Sequence, residues 1–256
     1  MTKTSAPGLD GRMSLMEHLV ELRGRLIKCV VAVALGAVVG FLLYIPVLDV
    51  LSRPLERLSD TPNVSETFHS FDPLEIFMLR IKMSIYLGIA LAMPFLLWQL
   101  WHFVAPGLYQ NERRYAGGFV ASATTLFLLG AGIAYFVLPE ALSFLQSMGG
   151  DNVEYQYTAE NYITLILYMM LAFGVGFQFP IVLIFLQLVG VVAPEQLGKF
   201  RRFAIVLIWG AAAVITPSGD PISLAALAVP MMIFYEVAII TGRVVRRRRV
   251  TAEAGS

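Results

Sequence analysis

Charge is scarce in this sequence: Asp, Glu, Lys and Arg make up 14% of its 256 residues, while hydrophobic residues make up 57%. A soluble domain carries roughly 25% charged residues, so a membrane protein is the default reading. Cysteine is nearly absent as well. Cys29 stands alone in an apolar run, which excludes an intrachain disulfide and any cysteine-based zinc or redox motif. The three histidines, His18, His69 and His102, lie in separate segments and read as surface residues, not ligands. No metal and no cofactor are expected. There is no Gly-x-x-x-x-Gly-Lys-Ser/Thr phosphate loop, no His-Glu-x-x-His and no Gly-x-Ser-x-Gly. A pair of intramembrane aspartates is missing too, because Asp220 is the one candidate and it falls in a turn. The chain does not read as an enzyme.

Long apolar runs dominate what is present. Six spans are expected at about 29–48, 76–104, 115–138, 162–192, 203–216 and 222–240. The fold class is therefore all-α, a polytopic membrane protein in one domain over 13–242. Residues 1–12 are expected to be disordered, and 243–256 to form a basic tail. The last two spans are short: thirteen helical residues rise about 20 Å, less than the roughly 30 Å hydrocarbon core. A short hairpin fits them better than a re-entrant pair, because both flanks are basic. Placing the N-terminus, the 105–115 and 190–202 loops and the C-terminus on one side gathers there every Lys and Arg except Arg53, Arg57, Arg80 and Lys82. The positive-inside rule then puts both termini in the cytoplasm. The Arg246–Arg249 run is a topology anchor touching anionic lipid, not a nucleic-acid site.

Smaller signals mark the ends of the spans. Ser14 to Glu17 reads as a capping box that starts an amphipathic helix, with Leu15, Leu19, Leu22 and Leu26 on one face. That helix is expected to lie at the interface before the first span. Between spans two and three runs a short polar loop, 105–114. It forces the two helices antiparallel and pins Glu112, Arg113 and Arg114 at a membrane surface. Residues 139–160 form an acidic segment with no Lys or Arg. Gly174, Gly176 and Pro180 bend the fourth span beside Gln178. Glu236, about one turn from the cytoplasmic end of the last span, reads as snorkelling to pair with Arg243. A polar residue beside a helix break also suits a small-solute transporter, so a proton-coupled secondary transporter is the alternative on these features alone.

Five motifs occur in order: His18-Leu-Val-Glu21-Leu-Arg23-x-Arg25, Ser52-x-Pro54-Leu, Phe103-Val-Ala-Pro-Gly-Leu-Tyr109-x-x-Glu112-Arg113-Arg114, Phe173-Gly-x-x-Phe-x-x-Pro180 and Thr216-Pro-x-x-Asp220-Pro221. On them the chain resembles TatC, the large subunit of the twin-arginine protein translocase, from Met13 to about Arg243. The resemblance implies a receptor in the prokaryotic plasma membrane for folded proteins with twin-arginine signal peptides, driven by the protonmotive force. It implies single-span partners of the TatA and TatB type and assembly into homo-oligomers. By the same resemblance, Glu21, Arg23, Phe103, Tyr109, Glu112 and Arg113 form the signal-peptide site. Two guanidiniums call for two carboxylates, here Glu21 and Glu112; the plain alternative pairs Glu21 with Arg25 and Glu112 with its neighbouring arginines. Pro54, Gln178 and Asp220 take structural or coupling roles, and Thr216 and Ser223 contact partner subunits. Two positions depart from the family pattern: Gln178 stands where many members have glutamate, and Leu224 where some have glutamine.

Overall fold

With no water in the hydrocarbon region to satisfy backbone polar groups, an apolar chain must close its hydrogen bonds within helices. The computed structural model describes residues 15–56, 72–104, 116–149, 157–188 and 190–254, and these form nine α-helices. In chain order they are α1 (Leu15–Leu42), α2 (Tyr44–Glu56), α3 (Pro73–Val104), α4 (Ala116–Ser147), α5 (Ala159–Gly176), α6 (Phe179–Leu188), α7 (Pro194–Lys199), α8 (Arg201–Ile215) and α9 (Pro221–Ala254). Five runs are long and apolar enough to cross a membrane: His18–Leu42, Leu74–Phe103, Gly117–Ser147, Ala159–Leu188 and Pro221–Val244. The fourth is α5 and α6 together, broken at Phe177 and Gln178. At 15 residues, α8 rises only about 22 Å and falls short of the hydrocarbon thickness.

Several boundaries differ from those read in the sequence. The segment around Glu21, read as an amphipathic helix at the interface running into the first span, is continuous with that span. It forms the first turns of α1, whose 28 residues extend about 42 Å and outreach the hydrocarbon core. That first helix ends at Leu42, and α2 then carries Pro54 at its buried end. α4 runs through Pro139 to Ser147 and takes in the start of the acidic segment. α9 continues through Arg243 and the arginine run to Ala254 as one helix of 34 residues, so the basic tail is helical almost to its end.

The antiparallel helices define two faces. One holds the start of α1, the end of α3, α7 and the start of α8; the other holds α2 and the α8–α9 turn. α1 packs almost wholly on α3. There Gly36 and Gly40 meet Gly88 and Ser84: a Cβ on Gly36 would lie 2.7 Å from the Gly88 carbonyl oxygen. Small residues spaced by four let the two backbones touch, which is how helices associate tightly in lipid. The main core joins α2 to α5 with α8 and α9 around Tyr162, Phe173 and Phe177; a second cluster around Trp101, Ala123 and Phe127 lies toward the N-terminal face.

Candidate functional site

The candidate site grows from the contact between the start of α1 and the end of α3. The His18 ring stacks on Phe103, with centroids 4.3 Å apart and planes at 23°. One turn further along α1, Arg25 donates to Glu21 Oε1 from both Nε (3.1 Å) and Nη2 (2.5 Å). Its Nη1 lies 3.4 Å from Gln99 Oε1 on α3. Both side chains of the ion pair are about a quarter exposed or less, at 21% for Arg25 and 24% for Glu21. Because Arg25 engages one oxygen only, Glu21 Oε2 is buried with no hydrogen-bond partner among the described residues. An orphaned, buried carboxylate oxygen is costly, at about 1–3 kcal/mol or more, and a second cation or N–H donor would relieve it.

Aromatic packing fixes the end of α3. Trp101, 3% exposed, stacks at a tilt on Phe119 of α4 (4.2 Å) and meets Phe185 of α6 edge-on (5.9 Å). His102 Nδ1 sits 3.1 Å from the Trp98 carbonyl oxygen. Trp101 thus ties the end of α3 to α4 and α6, while Phe103, two residues on, packs against His18 of α1. Arg23 lies on the exposed side of α1. Tyr109, Glu112 and Arg113 lie outside the described residues, in the stretch that joins Val104 of α3 to Ala116 of α4.

The remaining sequence-predicted residues stand elsewhere. Gln178, at the α5–α6 break, donates through Nε2 to the carbonyls of Ala123 (3.0 Å) and Gly174 (3.4 Å), and its buried Oε1 has no partner among the described residues. Asp220 is 2% exposed and starts α9: it accepts from the Ser223 backbone N–H (2.7 Å) and from Ser218 Oγ (2.5 Å). This is N-cap geometry, enough by itself to account for a short polar side chain there. Gly219 precedes it at φ 61°, a left-handed conformation that suits glycine. Thr216 and Ser223 flank the turn, both buried and both with a hydroxyl oxygen that has no hydrogen-bond partner among the described residues. Pro54 is buried on the same face. None of these is shown in contact with Glu21, Arg25 or the His18–Phe103 stack.

Some structural residues escaped the sequence reading. Arg80 donates to the Phe41 carbonyl (3.3 Å) and lies 4.0 Å over the Phe41 ring and 5.2 Å from Tyr44, closing the C-terminal end of α1. Burial raises the Tyr44 pKa, partly offset by the Arg80 charge. Lys82 pairs with Glu160 across α3 and α5. Glu236 pairs with Arg201 of α8 at 2.6 Å and not with Arg243, because the hairpin brings α8 closer than the next turns of its own helix. The Gly36-x-x-x-Gly40 spacing was a visible signal for the α1–α3 contact; the ion-pair partners left none.

Comparison with known proteins bears on this geometry. The family described as Sec-independent protein translocase protein (TatC) matches residues 17–230. A protein of that name from Xylanimonas cellulosilytica is 39% identical over 233 residues, covering 90% of this chain and 83% of the relative. Another from Aquifex aeolicus is 36% identical over 240 residues, covering 93% of this chain and 98% of the relative. The crystal structure of a twin arginine translocase receptor, TatC, superposes with a TM-score of 0.73 at 36% identity, covering 89% of this chain and 99% of that one.

Proposed function

The chain belongs to the TatC family of Sec-independent protein translocase proteins, and from that premise we propose that it is the subunit that receives twin-arginine signal peptides. Glu21 is one acid of the receptor site and Glu112 the other. Phe103 and Tyr109 form its apolar wall, and Arg23 and Arg113 border it. The observation that carries the reading is the half-occupied Glu21 carboxylate: Arg25 holds Oε1 and orients it, leaving Oε2 for a guanidinium from outside. An exposed pair contributes only about 0–1 kcal/mol. A partly dehydrated carboxylate between two helices, beside the His18–Phe103 stack, discriminates arginine from lysine far better, through bidentate geometry and ring stacking.

The N-terminal face is the cytoplasmic one, since it carries Arg23, Arg25, Lys28, Lys199, Arg201 and Arg202. Single-span partners of the TatA and TatB type dock on the α8–α9 hairpin, where Thr216 and Ser223 offer unpartnered hydroxyls. The translocase works as a homo-oligomer of such units driven by the protonmotive force. Glu112→Ala tests the receptor assignment: it should abolish capture of a twin-arginine peptide by the folded, membrane-inserted chain. Unchanged capture removes the 105–115 loop from the site.

A further inference from the structure

Among the described residues, the Glu21–Arg25 pair meets α3 through Gln99, whose Oε1 lies 3.4 Å from Arg25 Nη1. The glycine contact between the two helices dictates this meeting. Gly36 faces Gly88; Arg25 stands eleven residues before Gly36, and Gln99 eleven residues after Gly88. Eleven residues are about three helical turns, so in an antiparallel pair both side chains return to the facing sides of their helices. One turn further along α3, Phe103 meets His18 on the same side. Gln99 is half-buried, and its register cannot slide, because at Gly88 backbone already lies against backbone.

The guanidinium that Gln99 touches is turned away from its best geometry. A guanidinium and a carboxylate pair most strongly through two parallel bonds to two oxygens, and residues four apart on one helix are close enough to do so. Arg25 instead sends both Nε (3.1 Å) and Nη2 (2.5 Å) to Oε1 of Glu21, and Oε2 stays buried with no partner among the described residues. The contact that draws the guanidinium toward α3 is the one from Nη1 to Gln99. His18 is stacked on Phe103 and Arg23 lies on the exposed side of α1, which leaves Arg25 as the cation placed to close the carboxylate.

We propose that Gln99 is a positioning residue of the receptor site: it holds Arg25 on one oxygen of Glu21 and so keeps Oε2 open for an arginine of the signal peptide. The assignment rests on the receptor reading of Glu21. Without Gln99, Arg25 rolls into a two-oxygen pair with Glu21, and the chain's own arginine takes the place meant for the peptide's. A lysine ammonium is a point charge without fork geometry, so that closure costs a twin-lysine peptide less. Gln99 thereby sets the discrimination between the two.

The test measures the affinity of the full chain, in lipid nanodiscs, for a twin-arginine and a twin-lysine peptide, with the thermal midpoint as a check on the fold. Gln99→Leu should weaken twin-arginine binding about fivefold, the worth of one hydrogen bond. It should also shrink the preference over twin-lysine and leave the midpoint near wild type, since Gly88 holds the register. Gln99→Glu keeps an acceptor for Nη1 and should retain binding. Adding Arg25→Gln to Gln99→Leu should recover binding, because no internal guanidinium is left to close Glu21. Unchanged binding in Gln99→Leu, an equal loss for both peptides, or a double variant no stronger than Gln99→Leu alone overturns the proposal and leaves the receptor reading standing. A wild-type chain with no preference for arginine overturns the receptor reading, and the proposal with it.

Discussion

The α1–α3 pair and the α8–α9 pair are both antiparallel helix hairpins, and they are held in opposite ways. α1 and α3 touch backbone to backbone: a Cβ on Gly88 would stand 2.6 Å from the Ala37 nitrogen and 2.8 Å from the Val33 carbonyl oxygen. On α8, by contrast, a Cβ on Gly210 would meet nothing within 4 Å. The proposed receptor end sits on the locked pair, where Glu21, Arg25, Gln99 and Phe103 need a fixed register to form one site. The α8–α9 pair is short and loosely walled, with only Ile208 and Ala212 of α8 buried among the described residues.

The largest effect that would break this contrast is at Gly88. Backbone atoms cannot yield as side chains do, so Gly88→Val should cost at least about 3 kcal/mol and markedly lower the thermal unfolding midpoint in detergent. Gly210→Val should stay within about 0.5 kcal/mol. Similar midpoints for the two variants would erase the distinction between the pairs.

Next comes the site that the locked pair supports. Glu21→Ala removes a charged acceptor worth about 1.5–3 kcal/mol, so affinity for a twin-arginine peptide should fall by about tenfold or more with the fold intact. Full retention of arginine-over-lysine preference in that variant would contradict a shared two-carboxylate clamp.

At the hairpin, Asp220→Ala should cost about 1 kcal/mol through the lost N-cap, whereas Asp220→Asn keeps the cap and should be nearly neutral in stability. Asp220→Asn should still impair export in vesicles while leaving peptide binding near normal. Normal export would reduce Asp220 to its capping role. The smallest effect belongs to the Lys82–Glu160 pair, where Lys82 is 43% exposed. A double-mutant cycle on unfolding should give about 0–1 kcal/mol of coupling. A clearly larger value would mean that α3 and α5 are locked as firmly as α1 and α3.

The helical, membrane-spanning architecture was legible because apolar runs of this length leave a chain few alternatives. The break near Gln178 was legible because Gly174, Gly176 and Pro180 crowd one turn. The ends of helices were harder. Pro139 did not stop α4, since a helix already packed on its neighbours tolerates one missing N–H, and α9 ran on through its arginines because nothing in them forbids helix. Glu21 and Phe103 could be placed at one end of the molecule from topology alone. The Glu21–Arg25 pair, four residues apart, was one of the two alternatives open in the sequence; that Arg25 would also turn to Gln99 could not be read there, because a residue distant in the chain decides it. Glu236 shows the same limit, its partner Arg201 lying across the hairpin.

In the proposed receptor site a signal peptide is held at the N-terminal face between Glu21 and Glu112. Photocross-linking from position 109 to a twin-arginine peptide in membrane vesicles, with a twin-lysine peptide as control, tests it most directly. Strong labelling with arginine and little with lysine is the predicted result. Equal labelling of the two peptides, or none of either, would contradict the receptor site and return Glu21 to a plain ion pair with Arg25.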